Sequence, residues 1–224
     1  MKQILTSQEC HDAAESARRT LNTGKVLPSD VREQLVVVQE RGEVLAKVEA
    51  VTGMRFNVDL NAPGNVGGYA RPDTWGLYMS SRFLSKRKES EAVHISRHEA
   101  NHKKTQITKL DVEKKFSDLD PRYLKVLKRT LKKDKIEDKF LMEGFNEYLT
   151  KHENGDALHS GYDEEEVPAA RELERLSLLY TRQSLLSAFE KGDTELFFKR
   201  LKVLCEMLIV ADRVNGVIEE IKWN

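Results

Sequence analysis

The sequence predicts an α+β fold, predominantly helical, with one small three-stranded sheet packed on a metal-binding helix. Two observations carry that reading. Alternation of apolar and polar residues with a period of two is confined to residues 54–80, while apolar residues three and four apart recur through most of the remainder. The order of elements is helices, three short strands, then a helical half, which is an α+β rather than an alternating α/β layout.

Residues 8–21 read as a short helix ending near Asn22-Thr23-Gly24. Pro28-Ser29-Asp30 supplies a turn and a helix cap, and Leu35, Val38, Val44, Leu45 and Val48 set a helical stripe over 31–51 that stops at Gly53. Met54-Arg55-Phe56-Asn57-Val58-Asp59-Leu60 alternates as a half-buried strand does. A turn at 61–65 follows, then a strand at 67–70, a turn at Arg71-Pro72-Asp73-Thr74 and a strand from Trp75 to Ser80. Helices are expected near 88–106, 109–117, 121–132, 134–152, 163–190 and 193–221. Their breaks fall at Asp120-Pro121, Asn154-Gly155-Asp156 and Gly192-Asp193. The organisation read from this is a helical segment over 1–53, a catalytic core over 54–152 and a helical subdomain over 153–224.

Lys plus Arg number 37 and Asp plus Glu number 37, so the charge balance exerts no global pull towards nucleic acid or membrane. The lysines of 122–139 (Lys125, Lys128, Lys132, Lys133, Lys135, Lys139) are diluted by Asp134, Glu137 and Asp138 and read as a solvated helix face. No membrane span and no cleavable leader is visible, which makes the cytoplasm the expected location; export by a route without such a leader leaves the same signature. Cys10 and Cys205 read as two free thiols.

The chemistry lies in His98-Glu99-Ala100-Asn101-His102, an H-E-x-x-H pattern. Histidines four apart on a helix project to one side, so both imidazoles can converge on a single zinc ion. Glu99 adjoins the first ligand, in reach of water at that ion, and is the general base of such sites. Zinc needs a third protein ligand, and Phe140-Leu141-Met142-Glu143-Gly144-Phe145-Asn146-Glu147-Tyr148-Leu149 offers two acids on one helical face. One of Glu143 and Glu147 can bind metal while the other, a turn away, accepts a hydrogen bond from a ligating histidine. His94 gives a third histidine on the same face of its helix, but each step of four residues moves about 6 Å along the axis. His94 is therefore read as a residue behind or at the rim of the site.

His98-Glu99-x-x-His102 followed by Glu143-Gly144-Phe145-x-x-Tyr148 resembles the gluzincin clan of metallopeptidases, which includes thermolysin-like proteases and zinc aminopeptidases. The likeness covers roughly residues 54–152. It departs from the clan pattern at Met142, where an Asn is usual, and in the forty-residue interval from His102 to Glu143, which implies an extra helical excursion. The resemblance implies a zincin-like fold, one Zn2+ on His98, His102 and Glu143, Glu147 supporting the ligands, and a peptide or protein substrate. It also implies a tyrosine or histidine from a later segment as donor to the oxyanion; Tyr162 is the choice among Tyr148, His152, His159 and Tyr162. In such enzymes a strand before the zinc helix borders the cleft, and Gly76, Leu77 and Tyr78 are the expected substrate-binding edge. The reading is thus a zinc peptidase of narrow range. A binding or regulatory module on the same scaffold, without catalysis, is the alternative.

Overall fold

The computed structural model describes residues 3–154, 160 and 162–222. The fold is α+β and mostly helical; among the described residues there are nine α-helices and one four-stranded mixed sheet. None of these helices is long and apolar enough to cross a membrane. The chain divides into two compact units, residues 1–103 and 104–224, and the division falls inside one helix, Glu89–Thr105.

The first unit opens with strand β1 (Ile4–Leu5) and helix α1 (Ser7–Leu21). Thr6 and Glu9 close a reciprocal cap on α1: the Thr6 hydroxyl accepts from the Glu9 amide at 3.2 Å, and the Glu9 carboxylate accepts from the Thr6 amide at 2.8 Å. Helix α2 (Ser29–Thr52) ends at Gly53, whose φ of 66° is the left-handed conformation that glycine adopts without steric cost. The two helices pack closely because Gly42 lacks a side chain; a Cβ there would lie 2.2 Å from that of Ala14. Beneath them, Cys10, Val44, Leu45 and Val48 form a core with Phe56, Val58, Leu77 and Met79.

The sheet has the order β1-β2-β4-β3, with β2 (Asn57–Asp59), β3 (Gly68–Arg71) and β4 (Gly76–Ser80). β2 and β4 are parallel, in the register Val58↔Met79, while the two outer pairings are antiparallel. Alternation works as expected: Val58, Leu77 and Met79 enter the core, and Asn57, Asp59 and Tyr78 take the other face. Two expectations are corrected here. The sheet has four strands rather than three, because Ile4–Leu5 pairs with β2 over two residues, too short a run to show any period. Also, Gly76, Leu77 and Tyr78 do not form a free edge. β4 is an interior strand flanked by β2 and β3, and the outer strand on that side is β3. Helix α3 (Glu89–Thr105) follows and packs on the sheet through Ile95. A Cβ at Gly68 would stand 2.9 Å from the Ile95 side chain and 3.0 Å from the Tyr78 carbonyl, so this glycine lets β3 lie directly on α3.

The second unit is helical: α4 (Lys109–Ser117), α5 (Pro121–Leu131), α6 (Asp138–Asn154), α7 (Glu166–Thr181), α8 (Leu185–Glu190) and α9 (Thr194–Lys222). Asp120 caps α5 with Pro121 at its first position, the arrangement a fixed proline φ favours. Phe145 of α6 is the centre of the core, its ring 5.7 Å from that of Phe189 and 5.0 Å from that of Phe197. The single helix expected over 163–190 is two helices. Arg182 turns left-handed at φ 56°, and Ser184 caps α8 by accepting from the Ser187 amide at 2.9 Å. The Glu174 carboxylate accepts from the Leu186 amide at 2.8 Å, and the Ser177 hydroxyl donates to the Gln183 carbonyl at 2.6 Å. Side chains thus satisfy a helix break that neither glycine nor proline announces. Cys10 and Cys205 are both buried free thiols.

Candidate metal centre

Helix α3 is polar in sequence yet heavily buried. Its buried positions include His94, Ser96, His98, Asn101 and Thr105. Burying so many hydrogen-bonding groups costs free energy unless they are paired, as the Ser96 hydroxyl is by donating to the Val93 carbonyl at 2.7 Å. Helix α6 repeats the theme with Asn146, Glu147 and Thr150, each 1% exposed or less.

His98 and His102 stand one turn apart on α3, with their Nε2 atoms 3.1 Å from each other and their rings edge to face. Nitrogens that close cannot both carry protons, so at least one presents a lone pair to the other. His98, His102 and Glu143 each offer a ligand atom, and these atoms all lie within 4.8 Å of one another. His98 is buried, and His102 and Glu143 are half-buried. Among the described residues this is the group of His, Cys, Asp and Glu side chains able to hold a metal ion.

The donor set passes the test of fit. Two nitrogens each about 2.0–2.1 Å from an ion and 3.1 Å apart subtend roughly 100°, close to the tetrahedral angle. Two imidazoles and one carboxylate also make up the three-donor set of catalytic zinc sites, which leave the fourth position to water or substrate. Other divalent transition ions accept the same donors, so the group defines a metal site without fixing the ion.

The remaining residues singled out by the sequence lie on α3, on α6 and in the turn before α7. Glu99 is half-buried and adjoins His98 on α3. His94 is buried one turn before His98 and is not part of the converging group. Glu147 is buried one turn beyond Glu143 on α6. Tyr162 is half-buried in the turn before α7; its amide donates to the Ser160 hydroxyl at 3.3 Å, and its carbonyl accepts from the Val167 amide at 3.0 Å. His159 lies outside the described residues, as does most of the break expected at Asn154-Gly155-Asp156.

Sequence reasoning missed an ion pair behind the acids of α6. The Lys151 ammonium sits 2.6 Å from the Asp163 carboxylate and 4.0 Å from that of Glu147. Asp163 in turn accepts from the Ser160 amide at 2.7 Å. The Glu147/Lys151 spacing of four was there to be read, but Asp163 comes from a turn that no pattern ties to α6. Gly144 contributes by absence: a Cβ would lie 2.7 Å from the Glu166 carbonyl oxygen, so glycine permits the α6–α7 contact beside Glu143.

Comparison with protein-family models, with curated proteins and with solved structures finds no match for this chain.

Proposed function

We propose that the protein is a zinc-dependent metallopeptidase of the gluzincin type, with a zincin-like arrangement of sheet and metal helix. The observation that carries the reading is the convergence of the His98 and His102 nitrogens with the Glu143 carboxylate in one group. A zinc ion bound there supplies a Lewis acid for the scissile carbonyl and an acidified water.

The chain's own residues do the rest. Glu99 accepts a proton from the attacking water and passes it to the departing amine, which keeps that exchange inside the site. Glu147 is a positioning residue, an acceptor that fixes a ligand imidazole. Tyr162 donates to the oxyanion. Substrate backbone adds to β3, whose residues Gly68–Arg71 pair with β4 on one side and form the outer strand of the sheet. β3 lies against Ile95, one turn before His98.

The test combines metal analysis with turnover of a diverse peptide library. The purified protein should hold about one zinc per chain, and Glu99→Gln should retain it while turnover falls by about 10²–10⁴-fold. Equal cleavage by wild type and Glu99→Gln, or zinc with no cleavage of any peptide, would overturn the peptidase reading. The second result would favour a binding module on this scaffold.

A further inference from the structure

We infer that the outer face of α9 is a dimerisation surface, on which a second copy of this chain packs antiparallel through a short two-stranded coiled-coil seam. The inference stands apart from the metal chemistry. Helix α9 is 29 residues long and carries two apolar faces. Leu201, Leu204 and Leu208 are buried in the core of the second unit. Turned about 120° from them round the helix, Val203, Met207, Val210 and Val214 lie within about 60° of arc. Met207, Val210 and Val214 are 39%, 53% and 51% exposed, and Val203 is half-buried.

Scattered exposed valines need no explanation, but this set is ordered. Its intervals of four, three and four residues are those of a heptad seam, and the sequence continues them at Val217 and Ile221. Arg200, one interval earlier, donates instead to the Ser184 carbonyl and closes the seam at that end. A surface helix whose core face is already buried ordinarily turns polar residues outward. A second, narrow apolar stripe calls for another helix.

Symmetry and charge choose the occupant. The intervals read the same from either end, so a two-fold axis between Leu208 and Ile209 maps the seam onto itself. Val203 then meets Val214 of the second copy, and Met207 meets its Val210. The same axis sets Glu206, which flanks the seam, opposite Arg213 of the second copy, and Arg213 opposite its Glu206. Glu206 accepts from the Tyr123 hydroxyl at 2.9 Å with one carboxylate oxygen, and Arg213 is exposed. A parallel pair would set Glu206 beside Ala211 with no opposite charge. A register joining Val210 to Val214 would bring the two copies' Arg213 together. Flanking charges fix orientation and partner in coiled coils, and here they match only this chain reversed on itself.

Sedimentation equilibrium of the full chain over about 1–200 µM tests this. Wild type should pass from the mass of one chain to that of two, with a Kd on the order of 10 µM, since four layers make a small interface. Val210→Glu puts two unpaired carboxylates into the seam and should weaken association at least about 100-fold, with the helical circular dichroism unchanged. Val214→Lys, also at an exposed position, should do the same. Glu206→Arg alone should weaken association about tenfold, and combining it with Arg213→Glu should restore the wild-type Kd. A wild type that stays single throughout overturns the dimer. A dimer that survives Val210→Glu and Val214→Lys, or a charge exchange that restores nothing, overturns the antiparallel seam.

Discussion

Two clusters in this molecule combine histidine with glutamate, and they use the pair in opposite ways. Around Glu49 the carboxylate is surrounded by donors. It accepts from the Ser7 hydroxyl at 2.6 Å, the Phe56 amide at 3.0 Å and the His11 ring at 2.9 Å, with Arg55 at 3.3 Å. The cluster is saturated, and it fastens the start of α1, the end of α2 and the approach to β2. Glu143 instead converges with the imidazoles of His98 and His102, whose Nε2 atoms cannot both be donors at their 3.1 Å separation. The same two residue types make a staple when donors outnumber acceptors, and a cation site when lone pairs converge.

Substitutions that interchange those roles separate the clusters. The largest effect is expected at the metal site, where His98→Ala or Glu143→Ala should take bound metal from about one ion per chain to near zero, measured by elemental analysis after dialysis. His11→Ala should leave metal content untouched. Next comes Glu49→Ala, which strands the Phe56 amide and the Ser7 hydroxyl; unfolding by denaturant should show a loss of roughly 2–3 kcal/mol with metal content per folded chain unchanged. Gly144→Ala should cost about 1–3 kcal/mol by forcing α6 from α7, with a loss of metal affinity beyond that of Glu49→Ala.

The smallest effect is a pH dependence. Burial raises the Glu49 pKa, but the hydrogen bonds from Ser7, His11 and the Phe56 amide outweigh it and hold the carboxyl below its ordinary value. A depressed folded-state pKa means the unfolded chain binds the proton more readily. The stabilisation is therefore complete above the ordinary carboxylate range and is lost as pH falls below it, through the lowered folded-state value. Glu49→Gln should flatten that acid limb in denaturant titrations at a series of pH values, and an unchanged slope would remove Glu49 from the account.

Much of the fold was legible because it rests on local signals. The stripe of Val44, Leu45 and Val48, the alternation through Phe56 and Val58, and the Asp120-Pro121 start all describe what short stretches of backbone do unaided. The misses have non-local causes. Ile4–Leu5 is a strand only because β2 offers it hydrogen bonds. The break after Thr181 depends on Glu174 and Ser177 reaching across a turn, and the interior place of β4 depends on pairings on both of its sides. At the site, the two histidines were readable from their spacing; the spacing of Glu143 and Glu147 offered either acid, and the choice of Glu143 came from the gluzincin resemblance. The Lys151–Asp163 pair joins segments whose meeting no one-dimensional pattern records.

The two buried cysteines have a practical corollary. Burial pushes the Cys205 thiol up to about 12 and raises Cys10 as well, so at neutral pH neither offers appreciable thiolate to an electrophile. A single cysteine introduced at the fully exposed Val26 would react with a maleimide dye almost alone. The native chain is thus ready for site-specific fluorescence without removal of its own sulfurs.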